Sequence, residues 1–164
     1  MSSLNRLNNR EWCSVLLTDV PQHKPTVIDW YFNAWGKRDL NNTLESYTQK
    51  LESFLQDGTI PAHIVICDDE RLIATAHIRK YEIPSYVDYE NWLGGVYVDS
   101  EYRGQGVAKT VVNSVIEKAK ALGVEKLYLQ TEDLSGGLYA ELGWKKLHQT
   151  NSKGCEVIIM VKEL

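Results

Sequence analysis

The chain has 164 residues, 43% hydrophobic and 24% charged, enough for one packed domain over residues 1–164. Its formal net charge is −4 and no Lys/Arg block stands out, so no nucleic-acid partner is expected. No apolar run approaches the roughly 20 residues of a membrane span, and residues 1–10 lack the apolar core of a signal peptide, so a soluble, cytoplasmic protein with no membrane partner is expected.

The predicted elements follow in chain order. "PTVIDWYFNAWGK" (25–37) opens with Pro25 at a first helical position and stops at Gly36. "NNTLESYTQKLESFLQDG" (41–58) places Leu44, Tyr47, Leu51, Phe54 and Leu55 at helical spacing, with Gly58 as the stop. After Pro61 the pattern changes. "AHIVICDDERLIATAHIRKYEI" carries two β-branched runs around a polar "DDE" and predicts an antiparallel hairpin. The aromatic loop "PSYVDYENW" leads into the strand "WLGGVYV". Gly94 and Gly95 inside a strand predict a bulge or the close approach of another backbone. "GVAKTVVNSVIEKAKALG" reads as a long helix with Val107, Ala108, Val111, Val112, Val115, Ile116, Ala119 and Leu122 in one stripe and Gly123 at its end. A strand "VEKLYLQT", a short helix "GGLYAELG" and a strand "CEVIIMVKEL" complete an α/β chain of the α+β type, a mixed sheet covered by helices. Cys13, Cys67 and Cys155 are scattered without a C-x-x-C and read as reduced thiols. The histidines His23, His63, His77 and His148 show no ligand spacing, so no metal is expected.

The most informative stretch is "VYVDSEYRGQGVAKTVV" (96–112), where a strand turns into the long helix through Gly104, Gly106 and Ala108. Such a turn can point several amide N–H groups into one concavity at the positive end of a helix dipole, an arrangement suited to phosphate. Two phosphate motifs fail here. A P-loop requires glycine where Arg103 and Ala108 stand, and a dinucleotide fingerprint requires it at Lys109.

"YRGQGVAK" matches R/Q-x-x-G-x-G/A, the signature of the GNAT superfamily of acyl-CoA-dependent N-acetyltransferases, as Arg103, Gly106 and Ala108. The chain resembles that superfamily in element order from about residue 25 onward. The resemblance implies a mostly antiparallel central sheet with a bulged central strand and helices on both faces. It implies acetyl-CoA as co-substrate. The pyrophosphate would lie on the backbone of Arg103, Gly104, Gln105, Gly106, Val107 and Ala108, with Lys109 and Thr110 at the edge, and the pantetheine arm along Val96 and Val98. Tyr139 matches the family's tyrosine general acid, and its alternative role is packing beside Leu138, Leu142 and Trp144. Glu90, at the start of the bulged strand, stands where some members carry a catalytic glutamate, with Asp88 and His77 as further candidates for the base.

The acceptor implied is a small-molecule or peptide amine, attacking the thioester directly. The loop residues Tyr86, Asp88, Tyr89, Glu90 and Trp92, or the early-helix aromatics Trp30, Tyr31 and Trp35, are candidates to hold a cationic amine. Homodimers are frequent in the family and enter as an expected partner on that ground alone. A different class of function, a non-catalytic acyl-CoA-binding or sensing module, stays open at this point.

Overall fold

The computed structural model describes residues 5–7, 10–55 and 59–164; Gly58, expected to end the second helix, lies outside them. Strands β1 (Asn5–Leu7) and β2 (Arg10–Leu16) come first, then helices α1 (Lys24–Ala34) and α2 (Leu44–Phe54). Next come β3 (Ala62–Asp68), β4 (Arg71–Lys80), β5 (Asn91–Val98) and α3 (Val107–Ala121). The chain finishes with β6 (Lys126–Thr131), α4 (Gly137–Glu141), β7 (Lys145–Ser152) and β8 (Cys155–Glu163). They build an eight-stranded sheet in the order β1-β2-β3-β4-β5-β6-β8-β7, antiparallel at every junction except β5 with β6.

Local chemistry accounts for the elements. Pro25 sits in the first turn of α1, where its missing N–H costs nothing. Thr43 and Ser46 cap α2 reciprocally: Ser46 N donates to Thr43 Oγ1 at 3.0 Å and Thr43 N to Ser46 Oγ at 2.9 Å. The apolar runs of β3 and β4 fold back at Asp69, whose φ of 53° is one that a short polar side chain tolerates.

Helices cover both faces of the sheet. On one face Val107, Val111, Val112, Val115, Ile116 and Ala119 of α3 pack on the core that includes Ile64, Ile66, Ile78 and Leu93. On the other, Val27, Ile28 and Tyr31 of α1 and Leu51 of α2 close over Val65, Cys67 and Leu72. α2 uses only part of its apolar stripe there: Leu44 stays 48% exposed. The three cysteines are free thiols. Among the described residues no helix is long and apolar enough to cross a membrane.

Candidate active site

The parallel junction is where the sheet opens. β5 and β6 meet at one register pair, Trp92 with Tyr128, and then run on side by side without a ladder. The residues just past that pair, Gly94–Val96 on β5 and Leu129–Thr131 on β6, line a cavity of about 910 Å³. Tyr31 and Trp35 from the end of α1, Lys50, Leu51 and Phe54 from α2, and Tyr139 from α4 complete much of its wall.

The glycine pair shapes its floor. Thr75 pairs with Tyr97 and His77 with Gly94, so two steps along β4 oppose three along β5, and β5 bulges at Gly95, which takes φ +59°. Tyr31 Oη donates to the Gly95 carbonyl at 2.8 Å and holds the bulge in place. A Cβ on Gly94 would lie 2.6 Å from Glu82 Oε1 and 2.7 Å from His77 Nε2, so these two side chains converge over the glycine.

Around that point sits a cluster of titratable groups. Tyr31 Oη also lies 3.4 Å from His77 Nδ1; because its proton is given to Gly95, it can only accept from the ring, which places hydrogen on Nδ1 and a lone pair on Nε2. Nε2 is buried and has no hydrogen-bond partner among the described residues. Burial, with His63, Arg79 and Lys50 nearby, holds His77 well below the usual histidine value. His63, opposite it on β3 with ring centroids 4.9 Å apart, is lowered to about 4 by burial and by Arg79. Burial drives the Glu82 carboxyl upward, against the hydrogen bond from Gln130 Nε2 at 3.1 Å and the fields of Arg79, Lys153 and Lys50. Tyr139 is raised to about 12 by burial and by the charge of Glu82, and its ring meets Trp144 edge-on at 6.2 Å. The Tyr139 hydroxyl bonds to none of the described residues. The side chain thus packs against Trp144 and also lines the cavity.

The glycine turn leads from the end of β5 into α3. Gly106 takes φ 81° as the residue before the helix, and no side chain caps the amides of the first turn. Gly104, at φ +76°, has open space where a Cβ would project. Here a phosphate would meet bare N–H groups on a helix dipole, so the residues present fit the diphosphate of coenzyme A. Gln105 Nε2 donates to the Glu101 carbonyl, Thr110 is buried with Oγ1 on the Gly106 carbonyl, and Lys109 is exposed. Arg103 is exposed and folds back along the turn: its Nε donates to the Val98 carbonyl at 3.1 Å and its guanidinium lies 5.4 Å from the Tyr97 ring centroid. Val96 lines the cavity, and Val98 stands at the corner that Arg103 fixes.

Glu90 falls elsewhere. It forms an exposed ion pair with Lys80 at 3.1 Å and is not part of the cavity wall, and Asp88 is likewise an exposed loop residue. The aromatic loop before β5 spends its rings on one another: Tyr86 stacks on Tyr89, Tyr89 stacks on Tyr128 at 4.3 Å, and Trp92 is fully buried. Of the early aromatics, Tyr31 and Trp35 reach the cavity while Trp30 stacks on Tyr97. The residue that sequence inspection missed is Glu82. Its one signal was a lone carboxylate among Tyr81, Ile83 and Pro84, where a surface loop would be expected to carry several charges.

Comparison with known proteins bears on the fold and the family. Residues 24–144 match the model of the acetyltransferase (GNAT) family. The human protein N-acetyltransferase 8B is 32% identical over 85 residues, a segment that makes up 50% of this chain and 37% of that protein, so the match spans well under half of the relative's length. Among solved structures, ribosomal-protein-alanine N-acetyltransferase from Brucella melitensis superposes with a TM-score of 0.69 at 22% identity, over 87% of this chain and 95% of its own. An N-acetyltransferase from Staphylococcus aureus Mu50 gives 0.72 at 16% identity, over 93% and 98%. The fold is thus shared with these solved structures. This chain belongs to the GNAT family.

Proposed function

We propose that the protein is an N-acetyltransferase that moves an acetyl group from acetyl-CoA to a primary amine by direct attack. The observation that carries this is the seam beyond Trp92 and Tyr128: a freed strand edge, with an uncapped helix start beyond one end and Tyr139, Glu82 and His77 gathered in the cavity below. In this reading the turn from Arg103 to Ala108, with Lys109 and Thr110 beside it, binds the diphosphate. The backbone at Val96 and Val98 receives the pantetheine arm as an added strand would be received.

Attack needs a neutral amine, and the nitrogen must shed a proton as its bond to the acetyl carbon forms. Glu82 takes that proton; its raised carboxyl is better matched to the task than an ordinary surface carboxylate. His77 Nε2, with its free lone pair, accepts a hydrogen bond from the second N–H and orients the nitrogen. As the carbon–sulfur bond breaks, the electron pair leaves with sulfur, and the Tyr139 phenol, kept protonated by its surroundings, returns a proton to it. Solvent then restores both groups. The proton-accepting role considered for Glu90 passes to Glu82, because Glu90 is paired with Lys80 away from the cavity.

Replacing Tyr139 with Phe tests the assignment. Turnover falls by about a hundredfold or more while the Kd for coenzyme A changes by less than about threefold. Equal affinity with no turnover in either form, across a panel of amines, would instead identify a non-catalytic acyl-CoA-binding module.

A further inference from the structure

One part of the cavity wall is left unexplained by acetyl transfer itself. Lys50 from α2, Arg79 from β4 and Lys153 from the β7–β8 turn all face the cavity. They stand close enough that Lys153 and Arg79 both act on the Lys50 charge, and all three act on Glu82. None of the three has a carboxylate within ion-pair distance among the described residues. The other acids of the wall are engaged elsewhere: Glu132 pairs with Arg38 at 2.8 Å, Asp133 accepts from Ser135, and Asp39 accepts from the Asn41 amide.

Arg79 is the most telling of the three. Its guanidinium lies over the Phe54 ring, 5.1 Å from the centroid, which holds the plane of the fork. Its Nε is buried without an acceptor among the described residues, and a buried donor left unmade is costly unless something fills the place. A planar fork backed by two ammonium groups is an arrangement that binds a carboxylate, and among the described residues only the field of the Glu82 carboxyl, itself pushed towards its neutral form by burial, offsets the mutual repulsion of these three like charges, which a bound anion would relieve.

We infer that the acceptor is a small amino acid, its nitrogen lying at Glu82 and His77 and its carboxylate bound by Arg79, Lys50 and Lys153. This rests on the acetyltransferase reading above and narrows it. The same charges act against polyamines and aminoglycosides, whose further ammonium groups would be brought to a cationic wall. They also act against a lysine side chain in a peptide, which carries no carboxylate near its nitrogen.

The test compares free L-amino acids with their carboxamides as acceptors in the acetyl-CoA-dependent reaction, and separately titrates the protein with N-acetyl amino acids, which keep the carboxylate but cannot react. Acids are expected to exceed carboxamides in kcat/KM by about tenfold or more. Arg79→Gln should bring that ratio towards one, chiefly by raising KM for the acids. Because Arg79 is partly packed and its variant could lose stability, Lys153→Gln on the exposed turn is measured beside it and should move the ratio the same way. N-acetyl amino acids should bind the parent protein and lose affinity in both variants. Carboxamides that serve as well as acids would overturn the inference and leave the acetyltransferase reading standing. Binding of N-acetyl amino acids that depends on Arg79, with no turnover of any amine, would support the carboxylate site and sink the acetyltransferase reading instead.

Discussion

His63 and His77 face each other across the β3–β4 ladder, and both are held in the neutral form inside the fold. The unfolded chain binds protons at these rings near the ordinary value of 6.5, whereas folded His63 does so at about 4. Between those values the unfolded state carries more protons, so stability is present in full above the upper one and is lost as pH falls towards the lower. For His63 the loss reaches about 3 kcal/mol at the acid end. Glu82, raised in the fold, has the opposite sign, since the folded state is then the one that keeps its proton as pH rises through the carboxylate range. A His63→Gln variant isolates the histidine contribution: urea unfolding of the parent protein should weaken more steeply between about pH 7 and pH 4.5 than that of the variant. Parallel curves would show that His63 is not the group responsible. The residue scale is also where the sequence was least legible. Tyr139 was marked by its place in "LYAELGW", and His77 was visible as a strand histidine of undecided facing. Glu82 and Glu90 could not be told apart as site and surface, because what separates them is the path of the loop between β4 and β5.

At the scale of elements the sequence was far more legible, because periodicity and turn chemistry report directly on local structure. The two early helices, the β3–β4 hairpin, the long helix α3 and the short α4 all stand where their patterns placed them. The strands missed were β1, β2 and β7. "KKLHQTNS" of β7 is polar and largely exposed along an edge, so its partner β8, rather than its own composition, makes it a strand. The bulge was announced by Gly94 and Gly95, and its function is spatial: it brings the floor of β5 against Glu82 and His77. A Gly94→Ala change puts a methyl group 2.6 Å from Glu82 Oε1 and 2.7 Å from His77 Nε2. Both side chains must then retreat. We expect a stability loss of about 1–3 kcal/mol with the circular dichroism spectrum retained, and a fall in kcat/KM of about tenfold or more. Unchanged kinetics would mean that neither side chain needs its observed position.

On the scale of the whole molecule, the sheet of this GNAT-family chain has one register pair between β5 and β6, and the residues around that junction line the cavity. α1 and α2 bring Tyr31, Lys50 and Phe54 over one side, α4 brings Tyr139, and the turn before α3 opens bare amides beyond the end of β5. That convergence was not legible in the sequence, since it depends on contacts between segments as much as 117 residues apart, such as Arg38 with Cys155; what could be read was the signature that brings coenzyme A to mind. The most direct test of the central claim is isothermal titration of the protein with acetyl-CoA, run beside Mg-ATP and NAD and repeated with Gly106→Glu. The account predicts micromolar binding of acetyl-CoA, none of the nucleotides, and loss of the acetyl-CoA signal in the variant, whose carboxylate would occupy the helix start. Binding of a nucleotide in place of acetyl-CoA, or acetyl-CoA binding that Gly106→Glu leaves intact, would contradict it.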